Sequence, residues 1–247
     1  MIFLSNFFFG LINPFLTHIN LLKNKLTVKI RNLLLNYGWM LGCYLLFFVA
    51  LGVLKALFPE FEFERYEQTD LIQLLEESPW KFLLMAIIFA PLIEEGMFRT
   101  LIKPSQNELI FFLCSWIFVG VISFIPADIF WAIKYGFLIL FMILTFLFLK
   151  EFIPQKWQIK ACFFLGSHYR FIWILTSVIF GMVHIFNYVE GFQLDFLLVL
   201  LIIPRIIAGF FFGKIKIENR GLLWPITMHA MNNAIVLFVI FPRLFPI

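Results

Sequence analysis

Apolar residues in this chain come in long blocks, separated by short polar clusters: Tyr37 to Phe58, Trp80 to Ile102, Leu109 to Ile125, Ile129 to Leu149, Phe171 to Tyr188, Phe192 to Gly213 and Leu222 to Phe241. Each is close to or above the ~18 residues that a helix needs to cross a hydrocarbon core of about 30 Å. The two-residue alternation of a membrane β-barrel is missing. The pattern predicts an all-α, polytopic transmembrane helical bundle of about seven or eight spans. The eighth would be Met1 to Asn20, which is apolar but carries Asn6, Asn13, Pro14 and His18 and so reads better as an interfacial or partly inserted helix. Positive charges follow this stretch, and no small-residue cleavage site is evident, so it does not read as a signal peptide. One integral membrane domain is expected over 1–247: an amino-terminal part (1–79) with the first span and an acidic surface segment, then a helical core (80–247).

Composition agrees with the blocks. At 62% hydrophobic and 14% charged, with 36 Phe in 247 residues, the chain is far from the balance of a soluble domain, where about half the residues are apolar and a quarter charged. The polar clusters alternate in sign. Lys23, Lys25, Lys29 and Arg31 precede the first clear span. Glu60, Glu62, Glu64, Glu67, Asp70, Glu76 and Glu77 follow it, with Leu71, Ile72, Leu74 and Leu75 spaced like one face of a surface helix. Lys150, Lys156, Lys160 and Arg170 mark the longest later connection, Glu190 an acidic turn, and Lys214, Lys216 and Arg220 a basic cap. The positive-inside rule then predicts a cytoplasmic amino terminus and an external carboxyl terminus. The net charge of +4 comes mostly from these flanking loops; contact with anionic lipid accounts for it, and no nucleic-acid partner is indicated. Cys43, Cys114 and Cys162 stand apart, without the spacing of a disulfide framework or a thiolate metal site.

Three polar constellations interrupt the apolar blocks. In Phe89-Ala-Pro-Leu-Ile-Glu94-Glu95-Gly-Met-Phe-Arg99, three charges sit where each costs roughly 2.5 to 3.5 kcal/mol to insert. Glu95 and Arg99, four apart, share a helix face in the favourable order, whereas Glu94 points about 100° away with no cation at i+4. The spacing predicts a paired Glu95 and an available Glu94. Phe180 and His184 stack one turn apart in the fifth span, and His229 and Asn233 do the same in the last. Each constellation alone would serve as a structural lock between helices. Together, an acid, two imidazoles and an amide on separate intramembrane helices form a set able to hold and deprotonate water: Glu as general base, His as hydrogen-bond partner or metal ligand, Asn as oxyanion donor.

In order and in placement, Glu94-Glu95-x-x-x-Arg99, Phe180-x-x-x-His184 and His229-x-x-x-Asn233 resemble the three motifs of the CPBP family, also called Abi, which includes the type II CAAX prenyl endopeptidases. Gly209, a basic turn and Gly221-Leu-Leu-Trp-Pro before the His extend the resemblance, which covers about Ala86 to Val239. It implies an intramembrane endopeptidase acting on a membrane-associated peptide, in a bacterial relative at the plasma membrane. Glu94 would activate water, His184 and His229 would stand beside it, Asn233 would stabilise the oxyanion, and Glu95 and Arg99 would be supporting residues. The family is commonly described as metalloproteases, so zinc on Glu94, His184 and His229 is one expectation; direct activation of water by Glu94 and the imidazoles is the other. Two departures stand out. Thr100 replaces a Gly common after the Arg, and His184 follows Glu94 by 90 residues, a gap that two extra spans (Leu109 to Leu149) fill. The non-enzymatic alternative is an immunity or proton-coupled transport protein built on the same cluster. The segmentation also sets Glu94 and His229 in the inner half of the membrane and His184 nearer the outer end of its span.

Overall fold

The computed structural model describes residues 2–59, 65–66, 73, 77–126, 129–189, 193 and 195–244, with side chains described within 25–238. The acidic segment, apart from Arg65, Tyr66, Gln73 and Glu77, and the turns at Ala127-Asp128 and Glu190-Gly191 lie outside the described residues. So do the side chains of the amino-terminal apolar stretch.

Every regular element among the described residues is helical. Helix α1 (Ile2–Leu57) joins the amino-terminal stretch and the first span without a break. A broken helix follows, made of α2 (Pro79–Leu84), a π-helical turn (Met85–Phe89) and α3 (Ala90–Phe98). Then come α4 (Gln106–Ile122), α5 (Trp131–Phe152), α6 (Gln155–Ser167), α7 (Tyr169–Val183), a 3-10 turn (His184–Asn187), α8 (Phe196–Asn219) and α9 (Leu223–Leu244). Among the described residues, four helical stretches are long and apolar enough to cross a membrane by length and composition: Lys25–Leu57, Trp131–Phe152, Tyr169–Asn187 and Phe196–Asn219. The protein is a helical membrane bundle.

Its burial pattern is what a lipid solvent requires. Large apolar side chains such as Leu46, Ile133, Phe148 and Phe171 are exposed on the outer faces of α1, α5 and α7. Glu95, Arg99, Thr100, Ser115, Ser177, Lys216, Asn219 and His229 are buried among the helices. In hydrocarbon, apolar surface gains nothing by hiding, while polar groups must find partners inside the bundle.

The connection expected between Lys150 and Arg170 is itself the helix α6. Gln158, buried at its inner face, donates to the carbonyls of Lys150 and Ile153 at 3.1 and 2.7 Å and so caps the end of α5. Trp157 and Phe163 stay exposed beside Lys156 and Lys160, the mixed face of a helix lying at a membrane surface. The basic cap after the sixth span is also helical, since α8 continues to Asn219 and stops at Arg220 in the left-handed region (φ 51°).

At the end of the bundle where α1 meets the end of α8, amides lock the two helices. Asn36 donates to Glu218 at 2.6 Å, Asn32 to Asn219 at 3.0 Å, and Asn219 to the Lys29 carbonyl at 2.8 Å. Glycines let the central helices approach. A Cβ on Gly209 would lie 3.0 Å from the Ser177 carbonyl oxygen and 3.3 Å from Arg99 Nη2, so α8 passes α7 and α3 at a distance that any side chain would crowd.

Candidate active site

Glu94 and Glu95 project from α3, whose approach is set by an irregular turn. Through the π turn the backbone N–H of Ala90 donates to the carbonyl of Met85, five residues back. The next donor in that register would be residue 91, but it is Pro91, which has no N–H, so the Ala86 carbonyl loses its helical partner. Asn233 on α9 supplies the replacement, its Nδ2 donating to Ala86 O at 2.8 Å. The amide expected to face the reacting centre is thus engaged with the backbone just above it, where it fixes the π turn that aims α3.

The charges divide as their spacing predicts. Glu95 and Arg99 are fully buried, with Arg99 Nε 3.1 Å from Glu95 Oε2. The guanidinium lies 4.6 Å from the centre of the Phe180 ring and donates from Nη1 to the Thr176 carbonyl at 3.4 Å. Burial without water explains why this one cation has carboxylate, ring and carbonyl around it. Glu95 has a second partner that helical periodicity on its own segment does not show: His229 Nδ1, 2.9 Å from Oε1. Because a carboxylate accepts, Nδ1 carries the hydrogen, and Nε2 is turned the other way.

That second nitrogen meets Glu94. His229 Nε2 and His184 Nε2 each lie 3.8 Å from Glu94 Oε2. His184 is oriented in parallel fashion, its Nδ1 donating to the Phe180 carbonyl at 2.7 Å while its ring packs on that of Phe180. His229 is held flat against Phe212, ring centres 4.8 Å apart. With both Nδ1 atoms donating, each ring in its neutral form would present a lone pair to the same carboxylate oxygen, and Oε2 is buried with no hydrogen bond. Three acceptors converging with no donor between them form a site for a water, a proton or a cation.

The expected difference in depth between His184 and Glu94 does not hold. Helix α7 begins at Tyr169 and ends at Val183, only about 22 Å long at ~1.5 Å per residue. His184, at the start of the 3-10 turn, lies level with Glu94, its Nε2 3.8 Å from Glu94 Oε2.

Glu94, Val183, His184 and Asn187 line a cavity of about 320 Å³ whose other walls are apolar and include Phe89, Ile93, Met97, Phe118, Ile122 and Tyr135. The cavity explains how the Glu94 side chain stays 29% accessible within an apolar bundle. As donors, two imidazole nitrogens and a carboxylate suit zinc, but their spacing as placed does not make a metal site: among the described residues no group of three His, Cys, Asp or Glu is assembled to hold an ion.

Sequence reasoning missed Lys216, which it took for a loop cap. The side chain is buried, and its Nζ donates to the carbonyls of Arg99 and Thr100 at 2.7 and 3.2 Å and pairs with Glu108 Oε1 at 3.3 Å. A cation thus supplies a donor to the Thr100 carbonyl and a second donor to the Arg99 carbonyl, which also accepts from the Ile102 N–H at 3.1 Å, just past the end of α3. The signal was present in part: Gly209, Phe212 and Lys216 fall on one stripe of α8. Thr100, the departure from the expected glycine, turns its hydroxyl back to the Gly96 carbonyl at 2.7 Å and is fully buried.

Residues 76–235 match the protein family described as Type II CAAX prenyl endopeptidase Rce1-like. The chain belongs to this family. No curated protein and no solved structure matches it. Within the Rce1-like family, intramembrane CAAX-type protease activity is the general function, and all three polar constellations lie inside the matched region. The family match, together with the apolar helices, describes an integral membrane protein.

Proposed function

We propose that this Rce1-like protein is an intramembrane endopeptidase that hydrolyses a peptide bond of a membrane-associated substrate with water activated by Glu94. The observation that carries the reading is the unpartnered Glu94 Oε2, 3.8 Å from the Nε2 atoms of both His184 and His229 and bordering the cavity. A water among these three acceptors donates one hydrogen to Glu94 and another to an imidazole, leaving a lone pair for the substrate carbonyl carbon. As the C–O bond forms, Glu94 takes one proton; it then passes that proton to the amide nitrogen as the C–N bond breaks, and the carboxylic acid, which keeps the water's second hydrogen, and the amine leave. Glu95, with Arg99 behind it, holds the His229 tautomer. Asn233 acts through the π turn and still has one N–H for the oxyanion. If a zinc ion is resident on Glu94, His184 and His229, it would supply an acidified water, with a pKa near 7.

The test is comparative peptidomics of membranes containing wild-type protein or Glu94→Gln, followed by assay of the purified enzyme. Cleavage products present with wild type and absent with Glu94→Gln are the expected result. A phenotype retained in Glu94→Gln without any product identifies the alternative, a binding or immunity role. Exhaustive chelation separates the two water-activating schemes. Reversible loss of cleavage, with zinc bound in wild type and lost in His184→Ala and His229→Ala, assigns a metal; full activity in metal-free protein assigns Glu94 and the imidazoles alone.

A further inference from the structure

The 3-10 turn that ends α7 carries a polar side chain that the hydrolytic steps leave unused. The turn runs from His184 to Asn187, and just past it the Tyr188 N–H donates to the Ile185 carbonyl, three residues back, at 2.9 Å. Ile185 is fully buried against Leu198 and Ile202 of α8, which pins the turn from behind. With three residues per turn, side chains at i and i+3 eclipse, so Asn187 stands over His184, and both line the cavity at Glu94. Among the described residues that line this cavity, only Glu94, His184, Asn187 and Tyr135 carry a side-chain nitrogen or oxygen. Glu94 and His184 face each other across it, and Tyr135 is buried with its ring stacked on Phe89. Asn187 is exposed, and among the described residues its carboxamide has no hydrogen-bond partner. Asn233, by contrast, is engaged with the Ala86 carbonyl.

We propose that Asn187 binds the substrate main chain: its carboxamide pairs with the N–H and C=O of one extended substrate residue, about two residues from the bond that Glu94 addresses, and thereby sets which bond is cut. This rests on the endopeptidase reading of the site. Spacing decides the point of contact. A 3-10 turn rises ~2.0 Å per residue, so Asn187 stands roughly 6 Å beyond His184, whereas an extended chain advances ~3.3–3.6 Å per residue. The amide therefore meets the substrate about two residues away from the carbonyl under attack. Chemistry decides the kind of contact. The N–H and C=O of one extended residue point to the same side, and a carboxamide offers an acceptor and donors side by side to match them. The apolar walls decide its worth. A peptide brought to Glu94 gives up water on its backbone groups and must find partners in the protein, and Asn187 is the amide that the cavity wall holds free for them.

A main-chain contact does not depend on side chains, so capped oligoleucines serve as probes. Dansyl-labelled pentaleucine, and a series in which each backbone amide in turn is replaced by an ester, are titrated against full-length protein in vesicles. Affinity is read in the Glu94→Gln background by energy transfer from the tryptophans, and turnover in the wild-type background. In the parent, the one ester that lacks the N–H accepted by Asn187 should bind about tenfold more weakly than the all-amide peptide, as loss of a hydrogen bond in an apolar site should. Asn187→Ala, and Asn187→Leu, which is close in shape without the amide, should bind the all-amide peptide about tenfold more weakly and no longer distinguish that ester. In turnover KM should rise more than kcat falls, and cleavage should spread to neighbouring bonds. Parental affinity and an unchanged cleavage site in both variants, in protein whose thermal unfolding is intact, overturn the proposal. So does a parent indifferent to every ester, and so does a fall in affinity that leaves the sensitivity to that ester in place, since Asn187 would then act on the fold and not on the substrate. If the coupling to one ester appears but wild-type protein cleaves none of the peptides, the main-chain site stands and the endopeptidase reading falls.

Discussion

At the scale of residues, two adjacent carboxylates have opposite fates because one helix turns them about 100° apart. Glu95 points into the protein, where Arg99 and His229 share it. Glu94 points to the cavity and keeps an oxygen without a hydrogen bond. The difference predicts different mutants. Glu95→Ala leaves Arg99 charged and buried, which should lower stability by about 3 kcal/mol and also free the His229 ring. Glu94→Gln removes no hydrogen bond and should unfold at the wild-type temperature while turnover is lost. Thermal unfolding in detergent alongside the peptide assay checks both; full activity in Glu94→Gln with loss in a folded Glu95→Gln would exchange the two roles. Lys216→Met is the third case. It strips the Thr100 carbonyl of its donor, leaves the Arg99 carbonyl with the Ile102 N–H alone and leaves Glu108 without its cation, and should cost about 1–3 kcal/mol although Lys216 does not touch the reacting atoms.

At the scale of elements, the site depends on irregular turns. Pro91 orphans the Ala86 carbonyl, and Asn233 repairs the loss from another helix. Asn233→Ala should therefore destabilise the junction of α2 and α3, by about 1–2 kcal/mol, and protease nicking near Met85 should increase. Asn233→Asp, with acceptors only, should behave the same way, whereas Asn233→Gln tests whether a longer amide reaches Ala86. A variant with unchanged stability and a selective fall in kcat would instead assign Asn233 to the oxyanion alone. Helix α8 carries a different constraint. Gly209→Val would press a branched side chain on the Ser177 backbone and the Arg99 guanidinium; overpacking of this kind costs about 1–3 kcal/mol, and unlike Asn233→Ala it should lower stability without local nicking.

At the scale of the whole molecule, the alternation of basic and acidic connections predicts an orientation. Single cysteines replacing Glu64 and Glu190 should react from outside intact cells with an impermeant thiol reagent, and cysteines replacing Lys156 and Lys214 should not. Lys214 is the better choice at that end of α8, because its side chain is partly exposed where Lys216 is buried. Labelling in the opposite sense inverts the protein in the membrane.

Sequence alone determined that the chain is a helical membrane bundle, because a bilayer demands long apolar blocks and closed backbone hydrogen bonding, and both are legible one residue at a time. It also determined the Glu95–Arg99 pair and the stacking of His184 on Phe180, since contacts three or four residues apart follow from helix geometry. Tertiary structure decided what joins separate helices: His229 on Glu95, both imidazoles on Glu94, Lys216 on the end of α3, Asn233 on the carbonyl that Pro91 orphans, and the cavity walled by α4 and α5. It also set His184 level with Glu94, through the way their helices pack. The physical reason is the same throughout. Helical periodicity sets the direction of a side chain about its own axis, but which neighbour it meets depends on helix length, breaks and close approach, and these arise only when the helices pack.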